Sequence, residues 1–115
     1  MKVLFFERNK TPVLEFICSL EIEERARILA CLKSIEDLGI DCPRVQFRQI
    51  KGKLWEIKIK ASKSDYRIFY AMVAKNTIVL LHAFKKQSQK APNREIKIAE
   101  KRLFEVLENE NHYTH

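Results

Sequence analysis

Three strand-length runs follow one another between Leu54 and Phe84 with only short turns between them, and this limits the fold more than any other feature of the chain. The first run, Leu54 to Ile59, alternates. Trp55, Ile57 and Ile59 fall on one side, and Glu56, Lys58 and Lys60 on the other, the period-2 pattern of a strand with one buried face. A turn over Ser62 to Asp65 leads into Tyr66 to Val73, and Lys75-Asn76 is a tight turn into Thr77 to Phe84. That last run is almost wholly apolar, so it is expected to be the most buried strand. Parallel neighbours need a crossover of a dozen or more residues, so connections this short imply an antiparallel meander.

The flanking sequence supplies helices. Val3 to Phe6 is a short apolar run that reads as a further strand, at the edge or in the centre of the sheet. Thr11-Pro12 is a helix start, with Thr as cap and Pro at the first helical position. A short helix through Leu14, Phe16 and Ile17 to about Ser19 is followed by a longer one from Ser19 or Glu21 to about Leu38. Ile22, Ala26, Leu29, Leu32 and Ile35 are spaced as its inward face. Gly39 ends it. The two helices are expected to form an antiparallel hairpin. Val45, Phe47 and Ile50 form an extended or turn-rich lead-in punctuated by Gly52, and Lys85 to Ala91 a basic loop. Pro92 or Asn93 opens a last helix to about Glu108, with Ile96, Ala99, Leu103, Val106 and Leu107 inward, and Asn109 to His115 reads as a frayed polar tail.

The expected architecture is therefore α+β: an antiparallel β-sheet of about four strands packed by an N-terminal helical hairpin and a C-terminal helix. The helices would cover one face and leave the other, concave face open. The 115 residues fit one domain, 1–115, with 46% apolar content and only two Gly and three Pro. So few glycines exclude Gly-rich nucleotide cradles. No apolar run reaches the ~20 residues needed to span a bilayer and no signal-peptide pattern is present, so a soluble, cytoplasmic protein with no membrane partner is expected. Cys18, Cys31 and Cys42 lie far apart without a C-x-x-C pair or a nearby His. Cys18 and Cys31 read as reduced core thiols, and neither a metal site nor a cofactor is expected.

Charge points to function. Between Arg44 and Arg94 stand thirteen of the 22 Lys and Arg but only two of the 15 acids, Glu56 and Asp65. The rest of the chain is net acidic. Concentrated positive charge on one region predicts an anion-binding face, and a phosphate backbone is the anion such a face suits. Strand alternation puts Lys58 and Lys60 about 7 Å apart on one side. Arg67, set between aromatics in an apolar strand, is expected to join them, and Lys85 and Lys86 to close the rim. Arg48, Lys51, Lys53, Lys63 and Lys90 are the flanking candidates for RNA backbone contacts. Trp55, Tyr66 and Tyr70 read as packing residues, with base stacking the alternative for Trp55. His82 reads as a core histidine, with an acid–base role at the site rim the alternative.

The ordered set L-W-E-I-K-I-K, Y-R-I-F-Y, T-I-V-L-L-H-A-F-K-K and K-x-P before the last helix resembles the HigB-like, phage-derived branch of the RelE/ParE toxin superfamily. The resemblance extends back through T-P-V-L-E-F and E-E-R-A-R-I-L, covering roughly Val3 to Leu107. It implies a toxin of a type II toxin–antitoxin module: an endoribonuclease without metal or cofactor that cuts mRNA on the ribosome. The implied partners are mRNA, the ribosome and a cognate antitoxin of helix-turn-helix type. The antitoxin would cover the basic face or the helical hairpin, where Glu21, Glu23 and Glu24 offer counter-charges. Carried over by position, the catalytic cations fall on Lys58, Lys60, Arg67 and Lys85 or Lys86. The chain departs from the RelE branch on the strand that holds Glu56, where more basic residues are usual, and in K-K-Q-S-Q-K-A-P, which lacks that branch's arginine and tyrosine. Other superfamily members inhibit gyrase without cleaving nucleic acid. A non-enzymatic gyrase inhibitor or a nucleic-acid-binding accessory protein is therefore the alternative.

Overall fold

The computed structural model describes residues 1–43, 45–87 and 92–113. Five strands form one mixed sheet: β1 (Lys2–Phe5), β2 (Gln46–Lys51), β3 (Leu54–Lys60), β4 (Asp65–Ala74) and β5 (Thr77–Lys86). Their order is β1-β5-β4-β3-β2. The meander from β2 to β5 is antiparallel throughout, whereas β1 pairs with β5 in parallel, Val3 opposite Ile78 and Phe5 opposite Leu80. The helices are α1 (Pro12–Cys18), α2 (Ile22–Leu38), α3 (Asn93–Glu108) and the one-turn α4 (Glu110–Tyr113). Among the described residues no helix is long and apolar enough to cross a membrane.

The sheet has five strands rather than about four, because the lead-in around Phe47 is itself an edge strand, β2. Its turn into β3 uses Gly52 at φ 54°, and the β4–β5 turn uses Asn76 at φ 69°. Both are left-handed conformations that these two residue types adopt at least cost. Lys85 and Lys86 belong to β5 and not to a loop.

The helices do not share one face of the sheet. Helices α1 and α2 pack Val13, Ile17, Ile28, Leu32 and Ile35 against Ile57, Ile59, Tyr66, Ile68 and Tyr70. Helix α3 packs Ala99 and Val106 on the other side, against Leu54, Phe69, Ala71, Val79 and Leu81. The physical reason lies in β4 and β5. Both strands are apolar at alternate and intervening positions, and a strand apolar on both sides needs cover on both. A register shift between β4 and β5 contributes as well. Phe69 faces His82 while Tyr70 faces Leu80, so Leu81 is an extra residue. This bulge lets Leu81 join the α3-side core while its neighbour His82 also reaches α3 side chains.

The inward face of α2 is rotated from the expected one. Glu24, Ile28, Leu32 and Ile35 are buried, while Ile22, Ala26 and Leu29 are exposed. Glu24 is drawn inward by two donors, the Tyr66 hydroxyl to Oε1 at 3.3 Å and the Ser62 hydroxyl to Oε2 at 3.4 Å. A buried acid requires such partners. Glu24 is therefore not an exposed counter-charge, unlike Glu21 and Glu23. On α3, Ala99 and Val106 are buried, Ile96 and Leu103 pack beside them, and Leu107 is exposed. Cys18 is exposed and Cys31 half-buried, so Cys42 is the one core thiol among the three. As far as Tyr113 the tail is anchored rather than frayed, and its last two residues lie outside the described ones. Tyr113 is buried, its hydroxyl accepting from the Glu7 N–H at 3.1 Å and donating to the Glu7 carbonyl at 3.3 Å.

Candidate functional site

Helix α3 covers only part of its face of the sheet. Beside it, the side chains of β2, β3, β4 and β5 line an open cavity of about 640 Å3. The alternation of β3 sends Glu56 and Lys58 to this side while Ile57 and Ile59 enter the α1–α2 core. In the register, Lys58 lies directly opposite Arg67 on β4, and Glu56 opposite both Arg48 on β2 and Phe69 on β4. Arg48, Lys58, Arg67 and Lys86 supply the cationic wall, and Phe69, Pro92 and Ile96 are among the apolar contributors.

A second depression, of about 580 Å3, adjoins the first and shares Lys58 and Arg67 with it. It adds Lys60, Asp65 and Arg27, the last from α2, whose Nε also donates to the Lys60 carbonyl at 3.2 Å. A third lies at the tip of the β3–β4 hairpin, between Lys63, Lys85 and Lys86. The three depressions share wall residues, so they form one cationic track across the strands.

The expected residues separate into those that converge and those that do not. Lys58, Arg67, Arg48 and Lys86 share the first cavity. Lys60 belongs to the second depression. Lys85 sits opposite Tyr66 in the ladder and reaches only the hairpin-tip depression of these three, because alternation turns it away from Lys86. Lys63, also at the tip, pairs with Glu21 at 3.4 Å. Lys51 is held by Glu100 of α3 at 2.9 Å, and Lys53 sits exposed in the β2–β3 turn. Lys90 lies outside the described residues. Arg27 escapes a reading of the sequence, since an exposed arginine on a polar helix face carries no signal of what it reaches. Glu56 does carry one: it is an acid on the cation-bearing side of an alternating strand.

Arg67 is held closely. Its side chain is 13% exposed, its Nε lies 3.8 Å from Glu56 Oε1, and one terminal nitrogen donates to the Tyr66 carbonyl at 3.3 Å. Arg48 approaches the same Glu56 oxygen at 3.2 Å, with a side chain 58% exposed. Trp55 is half-buried against the α1–α2 core, and Tyr66 and Tyr70 are buried there. His82 meets α3 with both ring nitrogens. Nε2 is 2.8 Å from Glu95 Oε1, and Arg102 approaches Nδ1 at 3.2 Å while donating to the Leu81 carbonyl at 2.9 Å. Burial holds this imidazole below its ordinary range, against the opposing effect of the Glu95 hydrogen bond. A neutral ring with its proton on Nε2 satisfies both contacts. His82 is thus a clamp between β5 and α3.

The fold and the site together define a small α+β protein with an open cationic cleft on a mixed sheet. The chain matches the family described as "Phage derived protein Gp49-like (DUF891)" over residues 15–104. It belongs to that family, which is RelE/toxin-like. No curated protein matches the chain.

Proposed function

We propose that this chain is the toxin of a type II toxin–antitoxin module of the HigB-like kind, an endoribonuclease that cuts mRNA on the ribosome. The observation that carries this reading is the direct cross-strand pairing of Lys58 with Arg67 in the wall of a cavity that also holds Arg48 and Lys86. Family membership supports it. RNA carries its own nucleophile, the 2′-hydroxyl, so the protein's task is to align that oxygen with the adjacent phosphate and to neutralise the charge that develops there. Arg67 is suited to grip two phosphate oxygens at once, which an ammonium cannot do. Lys58 faces the same phosphate as a point charge, and Lys60 and Lys86 flank it along the track. Lys85, turned to the hairpin tip, then serves as a backbone contact. The ribosome would supply the positioning of mRNA that an open cleft lacks. A cognate antitoxin of helix-turn-helix type would restrain the activity by covering the cleft.

Inducible expression followed by mapping of mRNA 5′ ends tests the proposal. New ends inside translated codons are expected. Growth arrest with intact mRNA and broken DNA would overturn it in favour of gyrase inhibition, and arrest with neither would favour a binder. The partner is tested by co-expression with the neighbouring small reading frame, whose product should co-purify and restore growth.

A further inference from the structure

Glu56 is the anomaly of the cationic cleft. It is 2% exposed, and buried carboxylates survive in proteins only when charge and hydrogen bonds compensate them. Two guanidiniums stand near its Oε1, Arg48 at 3.2 Å from β2 and Arg67 at 3.8 Å from β4. Yet Oε1 has no hydrogen-bond partner among the described residues. Both arginines are therefore attracted by charge, while neither spends an N–H on this oxygen. The oxygen is also too enclosed to meet a substrate itself. β3 runs between β2 and β4, so the acid sits midway between two cations that would otherwise repel each other.

We propose that Glu56 is a positioning residue, which draws Arg48 and Arg67 together at the cavity wall and, beyond the one N–H that Arg67 gives to the Tyr66 carbonyl, leaves their donors for one phosphodiester of a bound RNA strand. The inference rests on the nuclease reading for its substrate, but the tether itself is a property of the protein alone. An acid beneath an anion site should weaken anion binding if its charge were all that counted. A positioning role predicts the opposite, and that difference makes the idea testable.

The decisive variants are Glu56→Gln, which removes the charge at constant size, and Glu56→Asp, which keeps the charge on a shorter stem. Binding is read by anisotropy with a 2′-O-methyl oligoribonucleotide, which cannot be cleaved, across a salt series. Glu56→Gln is expected to bind about ten-fold more weakly than the parent. Its salt slope should be shallower by about 0.7 for each phosphate that is no longer neutralised. Glu56→Asp should recover part of the affinity. Arg48→Ala should weaken the parent but change little in a Glu56→Gln background, since two residues acting as a unit do not add. Equal or tighter binding by Glu56→Gln, or additive effects of the two substitutions, would overturn the proposal.

The tether is read separately, without RNA, from 15N relaxation of the arginine Nε–H signals. Arg67 and Arg48 should be ordered in the parent, more mobile in Glu56→Gln and intermediate in Glu56→Asp. Arginines that stay ordered in Glu56→Gln overturn the positioning role. Arginines that loosen as expected in a protein whose parent binds no RNA overturn the nuclease reading instead. Should Glu56→Gln not fold, Glu56→Asp carries both measurements, and parent-like binding and order in that variant count against the proposal.

Discussion

A guanidinium that is mostly covered, yet lines two adjoining depressions, has both structural and chemical duties, and Arg67 is such a residue. Arg67→Ala should abolish toxicity and mRNA cleavage. It should also lower stability by about 1–3 kcal/mol, because it removes one of the two charges near the buried Glu56. Arg67→Lys separates the duties: it keeps the charge near Glu56 but loses the two-pronged grip, so stability should largely return while cleavage returns only in part. Growth assays and thermal melts on the same pair decide this. A stable, fully toxic Arg67→Ala protein would remove Arg67 from the site. His82 makes a prediction about pH. Its folded pKa lies below the ordinary value because of burial, so the unfolded chain binds the proton more readily. The stability it contributes is present above about pH 6.5 and is lost as pH falls through the folded value. Melting temperature should therefore drop on acidification from pH 7.5 to 5. His82→Gln, which keeps one donor and one acceptor, should flatten that part of the profile. An unchanged slope would place the titration elsewhere.

At the scale of elements, α2 shows how far periodicity reaches. Its central stretch, Ile28-Leu29-Ala30-Cys31-Leu32, is apolar all round, so spacing alone fits more than one inward face. What selects the buried face is Glu24 meeting Tyr66 and Ser62, contacts made across 42 and 38 positions of sequence. Ile28→Ala should cost about 2–5 kcal/mol in a denaturant melt. Leu29→Ala, one residue on but exposed, should stay within about 0.5 kcal/mol. Reversed magnitudes would return α2 to the expected face. The meander was legible because alternation and tight turns are local signals, and these same signals located Lys58, Lys60 and Arg67. β2 was harder to see, since an edge strand exposed at Gln46, Arg48, Gln49 and Lys51 shows little apolar patterning. The position of α3 could have been read from the two-sided apolarity of β4 and β5. The choice between Lys85 and Lys86 needed the end of β5, a boundary that sequence patterns locate poorly.

For the whole molecule, the segment that follows β1 is tied to α3 and α4. Tyr113 bonds both backbone groups of Glu7, His112 approaches Glu7 at 3.8 Å, and Arg8 pairs with Glu105 of α3. Tyr113→Phe should lose about 1 kcal/mol, and removal of residues from Glu110 onward should lose more, since a buried ring leaves with them. A truncated chain that melts with the parent would make the tail dispensable. The parallel pairing of β1 has a further consequence, which concerns time. The strands β2 to β5 pair with neighbours joined to them by short turns, the most distant pair being Asp65 with Lys86, whereas Lys2 pairs with Thr77 and Phe5 with Leu80. Such long-range contacts wait on loop closure and form late. On a translating ribosome β1 emerges long before its partner is synthesised. Phe5→Ala should therefore speed unfolding and leave the folding rate nearly unchanged. β1, made before its sheet neighbours, is the last to be paired, and a nascent chain cannot complete this sheet until β5 has left the exit tunnel.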